Sequence, residues 1–197
     1  MQSPLGQMLG ENARQLNGEH AVGTTTPPPL VVTRSQAKPR SPSVARCPRP
    51  PLPPFTVETA LTKVQLIEDA WNAFDPHLIA AACTPDSRWR NKDVQLVGRA
   101  EIVEFLTVKR YREIDFALRM ALWSVHDNRI AVRVHCEYAD AAGRNWRGYG
   151  IELWEFDASG LMCRREGCIN ELAIDERHRR IHMARADIER GRGLPLR

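Results

Sequence analysis

Residues 129–174 read RIAVRVHCEYADAAGRNWRGYGIELWEFDASGLMCRREGCINELAI, and the spacing of their side chains decides the fold. In RIAVRVHCEY, Ile130, Val132, Val134, Cys136 and Tyr138 alternate with Ala131, Arg133, His135 and Glu137. A period of two separates an apolar from a polar face only on an extended strand. NWRGYGIELWEF and LMCRREGCINELAI are β-rich runs of the same kind, and DFALRMALWSV at 115–125 precedes them. The turns HDN, DAAGR and DASG are too short for a crossover, so these four strands run antiparallel.

Working outward, the period changes. Val57, Leu61, Val64, Ile67, Trp71 and Phe74 recur at helical steps, with Thr56 placed to cap and Glu58 in the first turn. Asp75-Pro76 ends that helix and starts a second over about His77 to Cys83, because Asp caps well and Pro fits the first helical position. A third helix follows Gly98, with Ile102, Phe105 and Leu106 on its apolar side. Between helices two and three, SRWRN is expected to be an isolated fifth strand: Ser87, Trp89 and Asn91 share one face, Arg88 and Arg90 the other. The design is α+β, three helices on one face of a curved antiparallel sheet.

Composition bounds the domain. Eleven of the fourteen prolines lie in residues 1–54, and all five tryptophans lie beyond them. Residues 1–52 therefore read as a disordered, proline-rich, basic arm. The domain covers 53–176, and 177–197 forms a basic C-terminal helix or tail. Residues 56–175 hold fifteen Lys/Arg against nineteen Asp/Glu, so the positive formal charge comes from the two ends. An acidic domain excludes a nucleic-acid partner, and no segment is apolar and long enough to span a membrane. Five cysteines with no CxxC pair give no disulfide framework and no zinc knuckle, so free thiols and a cytoplasmic setting are expected. His178 and His182 have a metal-capable spacing, but no Glu follows the first; a solvated basic helix is the expectation, with no metal site.

The order helix, helix, strand, helix, four strands resembles the nuclear transport factor 2 superfamily, the α+β cone shared with ketosteroid isomerases and SnoaL-like cyclases. RPPLPPFTVETA, AWNAFDP, TPDSRWRN, GRAEIVEFL, LWSVHDNRIAVR and YGIELWEFDASGLMCRRE are similar to one bacterial and fungal branch of unknown function, over about residues 48–180. Ile151 and Cys163 depart from that branch's pattern. The resemblance implies a cone-shaped sheet whose concave face carries the helices and an apolar pocket for a small molecule.

Gly148, Gly150, Glu152, Trp154 and Phe156 share the helix-facing side of their strand, and the two glycines suggest space above them. The resemblance sets Glu152 at the position of the ketosteroid isomerases' protonated acid. Their catalytic base falls on Asn91 and their hydroxyl donor on Ile67, so a steroid-isomerase mechanism is not expected. Glu152 and Asn91 are the catalytic candidates, Glu152 acting on a water that Asn91, Tyr138 or Trp89 orients. Trp89, Tyr138, Trp154, Arg165 and Cys136 are the ligand-binding candidates. A buried carboxylate needs a partner, and Arg165 has the matching parity, so a structural Glu152–Arg165 pair stands beside the catalytic role. The arginines beside Trp89 would meet the convex side, with Glu137 as a candidate partner. No nucleotide, flavin or phosphate-loop motif occurs, so no cofactor is expected. Two functions remain: a small-molecule-binding protein of isomerase, cyclase, dehydratase or hydrolase type, or a non-catalytic module that dimerises through the convex sheet face, helped by Trp123 if it points outward.

Overall fold

Thr56 begins the first helix by a reciprocal cap: its Oγ1 accepts the Thr59 N–H at 3.2 Å, while Thr59 Oγ1 accepts the Thr56 N–H at 2.8 Å. Helix α1, Val57–Ala73, buries Ala60, Val64, Ile67 and Trp71. The structure, a computed structural model, describes residues 48–190 together with 192 and 194. The chain divides into Met1–Pro42 and Ser43–Arg197, and the described residues lie in the second unit. The expected arm therefore falls, except for residues 48–52, outside the described residues.

Helix α2, Pro76–Ala81, starts where Asp75 accepts the His77 and Leu78 N–H groups. It stops before Cys83 because Cys83 already belongs to β1, Cys83–Asn91. Helix α3, Gly98–Arg112, ends in Lys109, Arg110 and Arg112, charges that suit a helix C-terminus. The remaining strands are β2 (Val94–Val97), β3 (Ile114–His126), β4 (Arg129–Ala139), β5 (Asn145–Phe156) and β6 (Met162–Ile174). They form one six-stranded sheet in the order β2-β1-β6-β5-β4-β3.

Two expectations about β1 are corrected. It is not isolated: it forms an antiparallel hairpin with β2 and pairs in parallel with β6, Trp89 opposite Arg165. The turn escapes sequence reading because Lys92, not Gly or Asn, takes the left-handed conformation at φ 57. The arginines do not reach Glu137 either. Arg90 pairs with Glu166 at 2.5 Å.

Glu137 has other partners because the C-terminal segment covers it. No basic α-helix forms among the described residues after β6. Two 3-10 turns, Glu176–His178 and Asp187–Glu189, punctuate an otherwise extended strap. The Arg180 and Ile181 N–H groups donate to Glu137 Oε2 at 2.7 and 2.9 Å, and Arg147 Nε donates to Oε1 at 2.6 Å. Farther on, Arg185 donates to both oxygens of the buried Glu68 of α1, at 3.0 and 3.2 Å.

The core lies between the helices and the concave face, where Ile102 and Leu106 of α3 share one buried cluster with Ile130, Val132 and Val134 of β4. The space expected above the β5 glycines is filled. A Cβ on Gly148 would lie 2.6 Å from Cys136 Sγ and 2.9 Å from Ile169 Cγ2, and one on Gly150 would lie 2.7 Å from the Ile169 Cα. These glycines admit Ile169 and the close approach of β6 rather than an open void.

Candidate functional site

The inward side chains of β1, β5 and β6 meet under α1. Trp89 comes from β1, Glu152 and Trp154 from β5, Arg165 from β6, and Trp71 reaches them from the helix. Arg165 Nε donates to Glu152 Oε2 at 2.8 Å, and its Nη2 donates to Oε1. Trp154 Nε1 adds a third donor to Oε2 at 2.8 Å. Both charged residues are 2% exposed. The guanidinium lies 4.7 Å from the Trp89 ring centroid and 5.2 Å from that of Trp71, two rings that stack on each other. Gly167 makes room for this: a Cβ there would sit 3.1 Å from Arg165 Nη2 and 3.3 Å from Asn91 Oδ1. Glu152, fully engaged, holds Arg165 in place, and the two charges cancel.

What this end leaves unpartnered is a set of donors. Arg165 Nη1 and Thr84 Oγ1 are buried without a protein hydrogen-bond partner, while the buried Trp89 Nε1 and Ser87 Oγ have only the Cys83 thiol to turn to. Ser87, Trp89 and Arg165 all act on the Cys83 thiol, whose pKa burial nonetheless pushes up to about 11. Arg99 brings a further positive charge, its Nε and Nη2 donating to the Cys83 carbonyl at 2.9 and 2.6 Å. Buried polar groups without partners are uncommon in folded proteins. Sequence parity placed Ser87 beside Trp89, but nothing in the sequence showed that Cys83 and Arg99 converge there.

Tyr138 and Cys136 are not part of this group. Glu152 is paired with Val132, so Tyr138 stands six residues farther along β4, about 20 Å away at strand rise. Their neighbours are Glu171 of β6 and the end of α3. Tyr138 O–H donates to Glu171 Oε1 at 2.8 Å, and Lys92 Nζ donates to Oε2 at 3.1 Å. Burial pushes the Cys136 thiol up to about 12, which suits a packed apolar group rather than a nucleophile. Asn91 stands in the register row of Glu152, opposite Gly167, and so belongs to the Arg165 end. The concave face thus has two polar ends joined by Val134, Gly150 and Ile169.

The convex face bears Tyr149, Ile151, Leu153 and Leu172 in exposed positions beside the strap, and Trp123, at a β3 bulge, is 72% exposed. The described residues enclose hollows of about 80 Å³ in at least two places. One lies between α1 and β3, and another lies under Leu194 beside His135 and Tyr149. Among the described residues no helix is long and apolar enough to cross a membrane.

A family model described as "Protein of unknown function (DUF1348)" matches residues 53–182. No curated protein matches the chain. Among solved structures, the BvnE pinacolase from Penicillium brevicompactum superposes with a TM-score of 0.51 at 13% identity, over 57% of this chain and 86% of that one. An NTF2-like protein of unknown function from Burkholderia pseudomallei does so with 0.51 at 19% identity, over 56% and 90%. The epoxide hydrolase/cyclase-like enzyme SalBIII gives 0.52 at 13% identity, over 57% and 92%. At these identities the likeness shows the fold: the chain has the NTF2-like α+β cone.

Proposed function

Since the chain belongs to the DUF1348 family and folds as an NTF2-like cone, we propose that it binds a small molecule on the concave face of its sheet. One observation carries the reading: Arg165 Nη1 is a buried guanidinium donor with no protein acceptor, and beside it Trp89 Nε1 and Ser87 Oγ face only the weakly accepting Cys83 thiol. Each such group left unsatisfied costs about 1–3 kcal/mol, which a ligand oxygen would recover. Glu152 and Trp154 orient Arg165, Trp89 and Trp71 form the flat wall, and Asn91 borders the ligand's far side. Glu152 has no free oxygen for proton transfer, so its part here is positioning. Ile169 fills the space above the glycines, so the ligand is bounded on that side by its side chain. Tyr138 and Cys136 belong to the opposite end of the same face. The protein works in the cytoplasm with free thiols.

The test is a thermal-shift series of small ketones and monocarboxylates against the matching hydrocarbons. Oxygen-bearing members are expected to stabilise the wild type, and Ser87→Ala to weaken the shift. Equal shifts from the hydrocarbons, or none from any compound, would refute the reading. A second reading is favoured by the exposed Ile151, Leu153 and Leu172: the chain acts as a homodimer joined through the convex face.

A further inference from the structure

Across the sheet, Leu118, Cys136, Gly148 and Glu171 stand in one register row on the concave side, with Tyr138 at its rim. Helix α3 ends over this row, and its cap residue Glu113 is 8% exposed. The two carboxylates of this corner differ in what their oxygens do. Glu171 has both occupied, by Tyr138 and by Lys92. Glu113 gives Oε1 to Lys109, while Oε2 is buried and has no partner. An acceptor oxygen buried beside a cation and left without a protein donor is free to take a proton.

The charges around Glu113 are Lys109 and Arg112 from its own helix and Glu171 from β6. Tyr138 and Cys136 of β4 in turn register the Glu113 charge. Burial raises the Glu113 carboxyl above the ordinary range, and Lys109 only partly offsets it. At Glu171 burial also pushes upward, but the Tyr138 and Lys92 bonds outweigh it and the carboxyl ends below that range. Two carboxyls within reach of each other's charge are thereby driven apart, the dry one being the stronger base once ionised.

We propose that Glu113 is a general base for eliminations from a small, largely apolar substrate, its Oε2 taking a proton from carbon while Lys109 stabilises the departing oxygen. The C–H bond breaks with its proton onto Oε2, and its electron pair becomes a new π bond. The bond from the adjacent atom to oxygen breaks with its pair left on oxygen, which departs as an anion beside the Lys109 ammonium. Glu113 then loses the proton to solvent, and no oxidant or second reagent takes part. Glu171 holds Tyr138 and Lys92 as the opposite wall. This rests on the concave face being a ligand site.

The probe is nitrobenzisoxazole, whose ring opens when a carboxylate takes the C–H proton, the N–O bond breaks and a coloured phenolate is released. The full chain is expected to open it at least about 100-fold faster than acetate at equal concentration and pH, the lower end of general-base contributions. The rate should climb with pH through a midpoint above the ordinary carboxylate range, fall about 100-fold in Glu113→Gln, and persist in Glu166→Gln on the convex side. Probe-induced thermal stabilisation with a rate unchanged in Glu113→Gln overturns the assignment and leaves the binding reading standing. Neither stabilisation nor rate overturns the assignment, and the ketone and monocarboxylate series alone then decides the binding reading. Should Glu113→Gln not fold, the wild-type profile decides, since a midpoint within the ordinary range assigns the rate to a surface carboxylate and overturns the proposal.

Discussion

Arg165 is the residue on which the closed end of the cone depends. It is held by two bonds to Glu152 and by the faces of Trp89 and Trp71, so removing its charge leaves a buried carboxylate with only the Trp154 indole as donor. Arg165→Met is expected to lose about 3–5 kcal/mol in chemical denaturation, and Glu152→Gln/Arg165→Met to recover much of it. If the double variant is no more stable than the single one, the ion pair is not the reason for the loss. Glu137 makes a pH prediction at the same scale. Burial pushes its pKa up, but the Ile181 and Arg180 N–H groups and Arg147 outweigh that, and the folded pKa lies below the ordinary glutamate value. A depressed pKa gives stability that is complete above the unfolded value, about 4.3, and lost as pH falls through the lower folded one. The Arg180 and Ile181 amide signals should therefore titrate together in NMR with a midpoint below about 4.3. A midpoint at or above that value contradicts the assignment. Parity put Glu152, Trp154 and Arg165 on one face, because alternation is a local property, and the resemblance to the superfamily turned Trp89 to the same side. Neither was enough for Glu113. An i,i+4 Lys–Glu pair at a helix end reads as an exposed surface pair, and only the packing of α3 on the sheet buries it.

At the scale of elements, strand β3 poses a problem that the strap and α1 solve together. It is an edge strand, and its outward backbone groups are open to pairing with another chain. Asn72 brackets Leu118, accepting its N–H at 2.8 Å and donating to its carbonyl at 3.1 Å. Glu68 accepts the Met120 N–H at 2.6 Å, and Arg185 donates to the Met120 carbonyl at 3.2 Å. Side chains from a helix and from the strap thus mimic the missing neighbour strand. Arg185→Met should lose about 3–5 kcal/mol, since it strands Glu68 in the interior. It should also speed hydrogen exchange at Met120 more than at Val134 in the sheet centre. Equal acceleration at both sites would mean global loosening rather than an opened edge. Local signals exposed the helices, through the Thr56 cap and the Asp75-Pro76 start, and the four meander strands through their period. They did not expose β2, a four-residue strand entered through a left-handed Lys92, or the strap, whose anchors pair with residues more than forty positions away.

At the scale of the molecule, the two faces of the sheet have opposite fates. The concave face is covered by α1 and α3, while among the described residues the convex face is covered where the strap crosses Glu137 and where Leu194 lies by Arg133 and His135. Beyond these, Ile151 and Leu153 stay about half exposed, at 53% and 49%, with Tyr149 on the next outward row and Leu172 one row farther, opposite Arg147. Apolar side chains at successive outward positions of adjacent strands make a contiguous patch, which water disfavours more than the same residues scattered. Arg90, Arg164 and Glu166 lie at its margin and pair with each other, so the border carries both signs and does not repel its own copy. Under a two-fold axis the patch meets itself, which satisfies every outward residue with one operation. The full chain is therefore expected to show a dimer mass in light scattering at micromolar concentration, and Ile151→Asp with Leu153→Asp a monomer mass. The paired substitution is the informative one, because charges placed at the centre of a self-facing patch oppose their own copies across the axis while leaving the concave core untouched. A monomeric wild type would remove the dimer and leave the ligand reading unaffected, since Trp89, Arg165 and Glu113 all lie on the other face.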